Sequence, residues 1–81
     1  MVIDDVRDVL IDALSLSEHA HSMGAESRLL GALPELDSMA VVNLVGALEE
    51  HFGIAIADDE IDAAVFRTLG SLAAFVAGKR A

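Results

Sequence analysis

A chain of 81 residues has room for one small domain, so residues 1–81 read as a single unit. Its residues are 54% apolar, yet with three Phe and no Trp or Tyr it lacks the bulk for a sandwich core, and an all-α bundle of Ala, Leu and Val suits it better. The absence of cysteine excludes a disulfide framework, a thiolate metal site and a cysteine nucleophile, and a net charge of -9 argues against nucleic acid and anionic lipid as partners.

The acidity is unevenly spread. Glu35, Asp37, Glu49, Glu50, Asp58, Asp59, Glu60 and Asp62 face no Lys or Arg between Arg28 and Arg67. Two readings fit such a run: a solvated face that keeps a small domain soluble, or a surface that attracts basic partners. The opening residues Met1 to Asp8 carry acids where a secretory leader carries bases. The apolar stretch Leu69 to Gly78 is too short to span a membrane, which takes ~20 residues. The expected location is the cytoplasm.

In chain order, Val2, Val6, Val9, Leu10, Ala13 and Leu14 recur at steps of three and four, with Asp4, Asp5, Asp8 and Asp12 largely on the other face. This pattern predicts a first amphipathic helix ending near Ser15 to Ser17. From there to Asp37 no period is sustained, which leaves a loop of about twenty residues, long for a compact domain. Leu29, Leu30, Leu33 and Leu36 supply apolar anchors, and a short turn of helix is expected near Glu26 to Leu30.

Asp37 stands at the N-cap position of a second helix, with Val41, Leu44, Val45, Leu48 and Phe52 as its apolar stripe and Gly53 as its stop. Ile54 and Ile56 continue as an extended link. Asp58-Asp59-Glu60 is expected to open a short third helix through Ile61, Ala64 and Val65. Thr68 can cap a fourth, in which Leu69, Leu72, Ala73 and Val76 repeat at helical spacing and Lys79 and Arg80 complement the negative C-terminal end.

Leu36-Asp37-Ser38-Met39 places a serine hydroxyl in the first turn of the second helix, at the exit of the loop. The unpaired N–H groups and the dipole at that end favour an attached anion by up to about 1 kcal/mol. Taken alone, Asp37 and Ser38 are equally ordinary capping residues. Hydrolysis would require a base beside Ser38, but His51 lies thirteen residues along the same helix, about 20 Å away. His19 and His21 fall in the long loop. Asp58-Asp59-Glu60-x-Asp62 and His19-x-His21 lack the EF-hand pattern with its glycine, so no dedicated metal site is expected, and weak divalent cation binding is left open.

Leu36-Asp37-Ser38-Met39, the run Leu48-Glu49-Glu50-His51-Phe52-Gly53-Ile54 and the acidic Asp58-Asp59-Glu60 follow in an order and spacing that resemble acyl carrier proteins. The likeness spans roughly Leu33 to Val76. Asp37-Ser38-Met39 resembles the family's Asp-Ser-Leu attachment motif, with Met in place of Leu. The resemblance implies a non-catalytic four-helix bundle with a long first loop and a short third helix. It also implies that a phosphopantetheinyl transferase, using coenzyme A and a divalent cation, attaches 4'-phosphopantetheine to Ser38 as a phosphodiester. Acyl groups held on the arm as thioesters would then be presented to successive enzymes of fatty acid, polyketide or related acyl biosynthesis. Val41, Val45, Leu48, Ile54, Ile56, Ile61 and Val65 could line a shelter for the acyl chain, and each is also an ordinary core residue.

The chain departs from the family where fatty acid carriers tend to bear acids on the second helix, since Ala40 and Asn43 stand there, and Gly46 replaces a larger side chain. The expected docking surface is therefore apolar at Met39, Ala40, Val42, Asn43 and Gly46, and acidic at Glu49, Glu50, Asp58, Asp59 and Glu60. The partners are enzymes with apolar or basic patches, met by a monomer. Glu35-Leu36-Asp37-Ser38 lacks the Gly-Gly-His/Asp-Ser approach typical of peptidyl carriers, which favours an acyl or small organic acid cargo and leaves an aminoacyl or D-alanyl carrier open. The rival from another class is a small acidic helical interaction domain in which Ser38 is only a cap.

Overall fold

The computed structural model describes residues 2–16, 22–29, 31 and 36–80, and among these residues α-helices and a 3-10 turn succeed one another. They are α1 (Val2–Leu14), α2 (Ser38–Phe52), the turn Asp58–Glu60 and α3 (Leu69–Arg80). α1 packs against both α2 and α3. Its buried side chains are Val6, Val9 and Leu10, and its first-turn acids Asp4 and Asp5 complement the helix dipole. The helix stops at Ser15, which takes the left-handed φ of 53°. Arg7 ties the following loop back to α1, because Nη1 donates to the Met23 carbonyl at 2.9 Å and Nη2 to Asp4 Oδ1 at 2.7 Å.

α2 begins and ends as its sequence implies. Asp37 is extended, at φ -102° and ψ -174°, and Gly53 closes the helix in the left-handed region at φ 65°, with its N–H donated to the Glu49 carbonyl. Leu44 and Leu48 are fully buried against the leucines and valines of the other helices. α3 starts on a reciprocal cap: Ser71 N donates to Thr68 Oγ1 and Thr68 N to Ser71 Oγ, each at 3.0 Å. Leu69, Leu72 and Val76 then close the core.

The expected third α-helix does not form. Asp58–Glu60 makes a single 3-10 turn and residues 63–66 form turns. Side chains cap the short turns instead: Glu60 Oε1 accepts Ala57 N at 2.9 Å, and Asp62 Oδ1 accepts at 3.1 Å the Val65 N that a continuous helix would give to the Ile61 carbonyl. Beyond the buried Phe66 the backbone is committed elsewhere, since Leu29 N donates to the Arg67 carbonyl at 3.0 Å and Leu69 N to the Ser27 carbonyl at 2.9 Å.

The same pairing corrects the helical turn expected near Glu26. Residues 25–26 form a turn, and Arg28 makes an isolated antiparallel bridge to Thr68. Gly70 N also donates to the Ala25 carbonyl at 2.8 Å, an approach so close that a Cβ on Gly70 would lie 2.7 Å from that oxygen. The described part of the long loop is thus zipped to the start of α3 and pinned by Leu29 and Leu36, both buried. Leu30 and Leu33 lie outside the described residues.

Candidate functional site at the start of α2

Asp37 Oδ1 accepts the N–H of Ala40 at 2.9 Å, and the Asp37 carbonyl accepts that of Val41 at 2.9 Å. The N–H groups of Ser38 and Met39 have no acceptor among the described residues, so the positive end of the helix faces the space around Ser38. Ser38 is exposed, and no partner for its hydroxyl occurs among the described residues. A serine oxygen held there is open to an incoming electrophile and can carry a phosphodiester without displacing a structural contact. The residues therefore fit a phosphate-linked group.

Beyond Ser38, one face of α2 points outward. Met39 and Val42, 71% and 66% exposed, are its large apolar members, and Asn43, Gly46 and Glu50 continue the strip at helical spacing. Ala40 does not belong to it. This residue is only 8% exposed, because it shares the inward face with Leu44 and Leu48 at steps of four. The expectation that Ala40 forms part of the docking surface is corrected on that ground.

The acidic half of the expected surface divides in two. Glu50 and Asp59 are exposed. Glu49 is half-buried, and its Oε2 accepts Ile56 N at 2.8 Å, which fixes the link that follows α2. Glu60 accepts from Lys79 Nζ at 2.6 Å, tying the 3-10 turn to the end of α3. That hydrogen bond, and after it the one from Ala57 N, hold the Glu60 carboxyl below its ordinary range. The side chain of Asp58 lies outside the described residues. Nothing local in the sequence signals the Glu60–Lys79 pair, whose members are 19 residues apart.

The seven residues that could shelter an acyl chain belong to the one hydrophobic cluster: Val45, Leu48 and Ile56 are buried in it, while Val41, Ile54, Ile61 and Val65 pack against it. His51 sits at the far end of α2 from Ser38, its ring edge-on to Phe52 at 4.7 Å, and the Arg80 guanidinium lies 5.5 Å from the centre of the Phe52 ring. No group of three or more His, Asp or Glu side chains among the described residues could hold a metal ion, and His19 and His21 lie outside them. Among the described residues no helix is long and apolar enough to cross a membrane.

Residues 4–76 match the family model described as "Phosphopantetheine attachment site". An acyl carrier protein of Campylobacter curvus is 46% identical over 61 residues, 75% of each chain. One from a Sulfurovum species is 37% identical over 73 residues, covering 90% of this chain and 91% of its own. The solution NMR structure of a holo acyl carrier protein from Nitrosomonas europaea superposes with a TM-score of 0.88 at 56% identity, covering 95% of this chain and 93% of that one.

Proposed function

The chain belongs to the acyl carrier protein family, with phosphopantetheine as its covalent cofactor, and from that premise we propose that Ser38 bears the arm. The observation that carries this reading is the exposed hydroxyl in the first turn of α2, with Asp37 occupied as the cap behind it. A separate phosphopantetheinyl transferase would bind the protein as substrate. The Ser38 oxygen forms a new bond to the phosphorus that bears the pantetheine, the pyrophosphate bond of coenzyme A breaks, the nucleotide half leaves, and the serine proton passes to a base of the transferase. The arm's terminal thiol supplies the site of thioester formation. This chain's own part is to hold the serine oxygen in the open and to complement the phosphodiester's charge with the N-terminal end of α2.

The cargo in this reading is an acyl chain or small organic acid in fatty acid, polyketide or related biosynthesis, and the chain works as a cytoplasmic monomer that docks transiently. The exposed strip of Met39, Val42, Asn43 and Gly46 suits partners with apolar patches, while Glu50 and Asp59 attract basic ones. The test is to incubate the apo protein with coenzyme A, Mg²⁺ and a transferase of broad specificity, and to measure intact mass. The expected result is a gain of one phosphopantetheinyl group in the parent and none in a folded Ser38→Ala variant. A gain that persists in that variant would remove Ser38 from the role.

A further inference from the structure

A groove of about 890 Å³ runs between α1 and α2 on a part of the molecule that the attachment site does not use. Its apolar base is formed by Val9, which is buried, and by Ala13 and Ala47, which are half-buried. Asp8, Asp12 and Glu50 stand exposed along its sides, with His51 next to Glu50 on the α2 wall. No Lys or Arg lines it among the described residues. α2 contains neither residue, and the one base of α1, Arg7, is turned to Asp4 and the Met23 carbonyl. Ala47 and Glu50 lie nine and twelve residues beyond Ser38, about 14 and 18 Å along the helix axis.

We propose that this groove is a second docking surface, sharing only Glu50 with the exposed strip of α2, which takes a basic amphipathic helix of a partner protein. The charge decides the sign of the occupant, since carboxylates on both walls repel an anionic ligand and attract Lys and Arg. The apolar base decides its kind. A hydrated cation gains nothing from Val9, Ala13 and Ala47, whereas an amphipathic helix can lay an apolar stripe on them and set its flanking bases against Asp12 and Glu50. A second copy of this chain would bring carboxylates of its own to the same walls. Because the groove is more than a helical turn away from Ser38, a partner seated there leaves the attachment site uncovered, given the assignment of the arm to Ser38 above.

The experiment is an NMR titration of the full ¹⁵N-labelled chain carrying its phosphopantetheine, with a synthetic Leu/Lys amphipathic helical peptide of about 15 residues. A peptide of the same pattern with Glu for Lys, Mg²⁺ alone, and sedimentation of the unliganded chain are the controls. The expected result is that amide shifts concentrate at Asp8–Ala13 and Ala47–His51. Asp12→Asn with Glu50→Gln should weaken binding about tenfold, and Ser38→Ala should leave it unchanged. Shifts centred on Met39–Gly46 or Asp59–Asp62, or equal affinity in the double variant, would overturn the proposal. So would the same shifts with Mg²⁺ alone, which make this a cation site, or a dimer closed through the groove, which makes the occupant a second copy. Loss of binding in Ser38→Ala with the groove intact would show that the peptide reads the arm, and would also overturn it.

Discussion

The carboxylate of Asp37 accepts the backbone N–H of Ala40 at 2.9 Å, so the acid beside Ser38 is engaged in starting α2, and no hydrogen bond joins it to the serine hydroxyl among the described residues. Removing it should therefore weaken the helix and slow modification without abolishing it. Asp37→Ala is expected to cost about 1 kcal/mol in urea unfolding. The same variant should still reach full phosphopantetheine occupancy, at a lower rate, when intact mass is followed over time.

The two positions first grouped as a neutral docking face should separate experimentally. Ala40 is buried beneath the first turn of α2, so Ala40→Asp forces a carboxylate toward Leu44 and Leu48 and should lose at least ~1 kcal/mol of stability. Asn43→Glu lies on the exposed strip and should leave the unfolding midpoint within about 0.5 kcal/mol of the parent. Its effect should appear in partner affinity, measured by titration calorimetry.

Gly70 and Gly46 make an opposed pair. A Cβ on Gly70 would sit 2.7 Å from the Ala25 carbonyl oxygen, against backbone that is itself hydrogen-bonded to Gly70, so Gly70→Ala should destabilise the fold by about 1–3 kcal/mol. A Cβ on Gly46 meets nothing within 4 Å, and Gly46→Ala should stabilise α2 by up to about 1 kcal/mol through helix propensity. Thermal unfolding of both variants, compared with the parent, tests the loop contact and the open face together.

The Glu60–Lys79 tether should make stability depend on acid pH. The folded-state pKa of Glu60 is depressed below 4.5, so the unfolded chain takes up the proton first as pH falls. The pair's contribution is fully present above the unfolded value and is lost as pH falls through the lower folded value. Unfolding free energies measured from pH 7 to 3 should fall less steeply below about pH 4.5 in Glu60→Gln than in the parent, and Lys79→Met should show the same change. Identical slopes would show that the pair does not tie the turn to α3.

What the sequence made legible were features with local chemistry. Asp37 and Gly53 bounded α2, Thr68 opened α3, and the valines and leucines of α1 gave its buried face, because caps and helical periods act within a turn or two of the chain. The third helix expected from Asp58 has the same kind of local signal, and Glu60 does accept Ala57 N as a capping residue would, but Asp62 takes Val65 N in a turn and Arg67 to Gly70 are held by Ala25 to Leu29. That pairing joins segments some forty residues apart and leaves no periodic trace. Ala40 differs from these in being locally encoded. It lies four residues before Leu44 and eight before Leu48, so the buried stripe of α2 runs back into its first turn, a period the sequence does carry.

The most direct test of the central claim is fragmentation mass spectrometry of the protein purified from its native cells, which locates the phosphopantetheine on a peptide and a residue. The group is expected on Ser38, alone or with an acyl thioester at its end. Its placement on another residue, or a chain that stays unmodified when supplied with an active transferase and coenzyme A, would contradict the account.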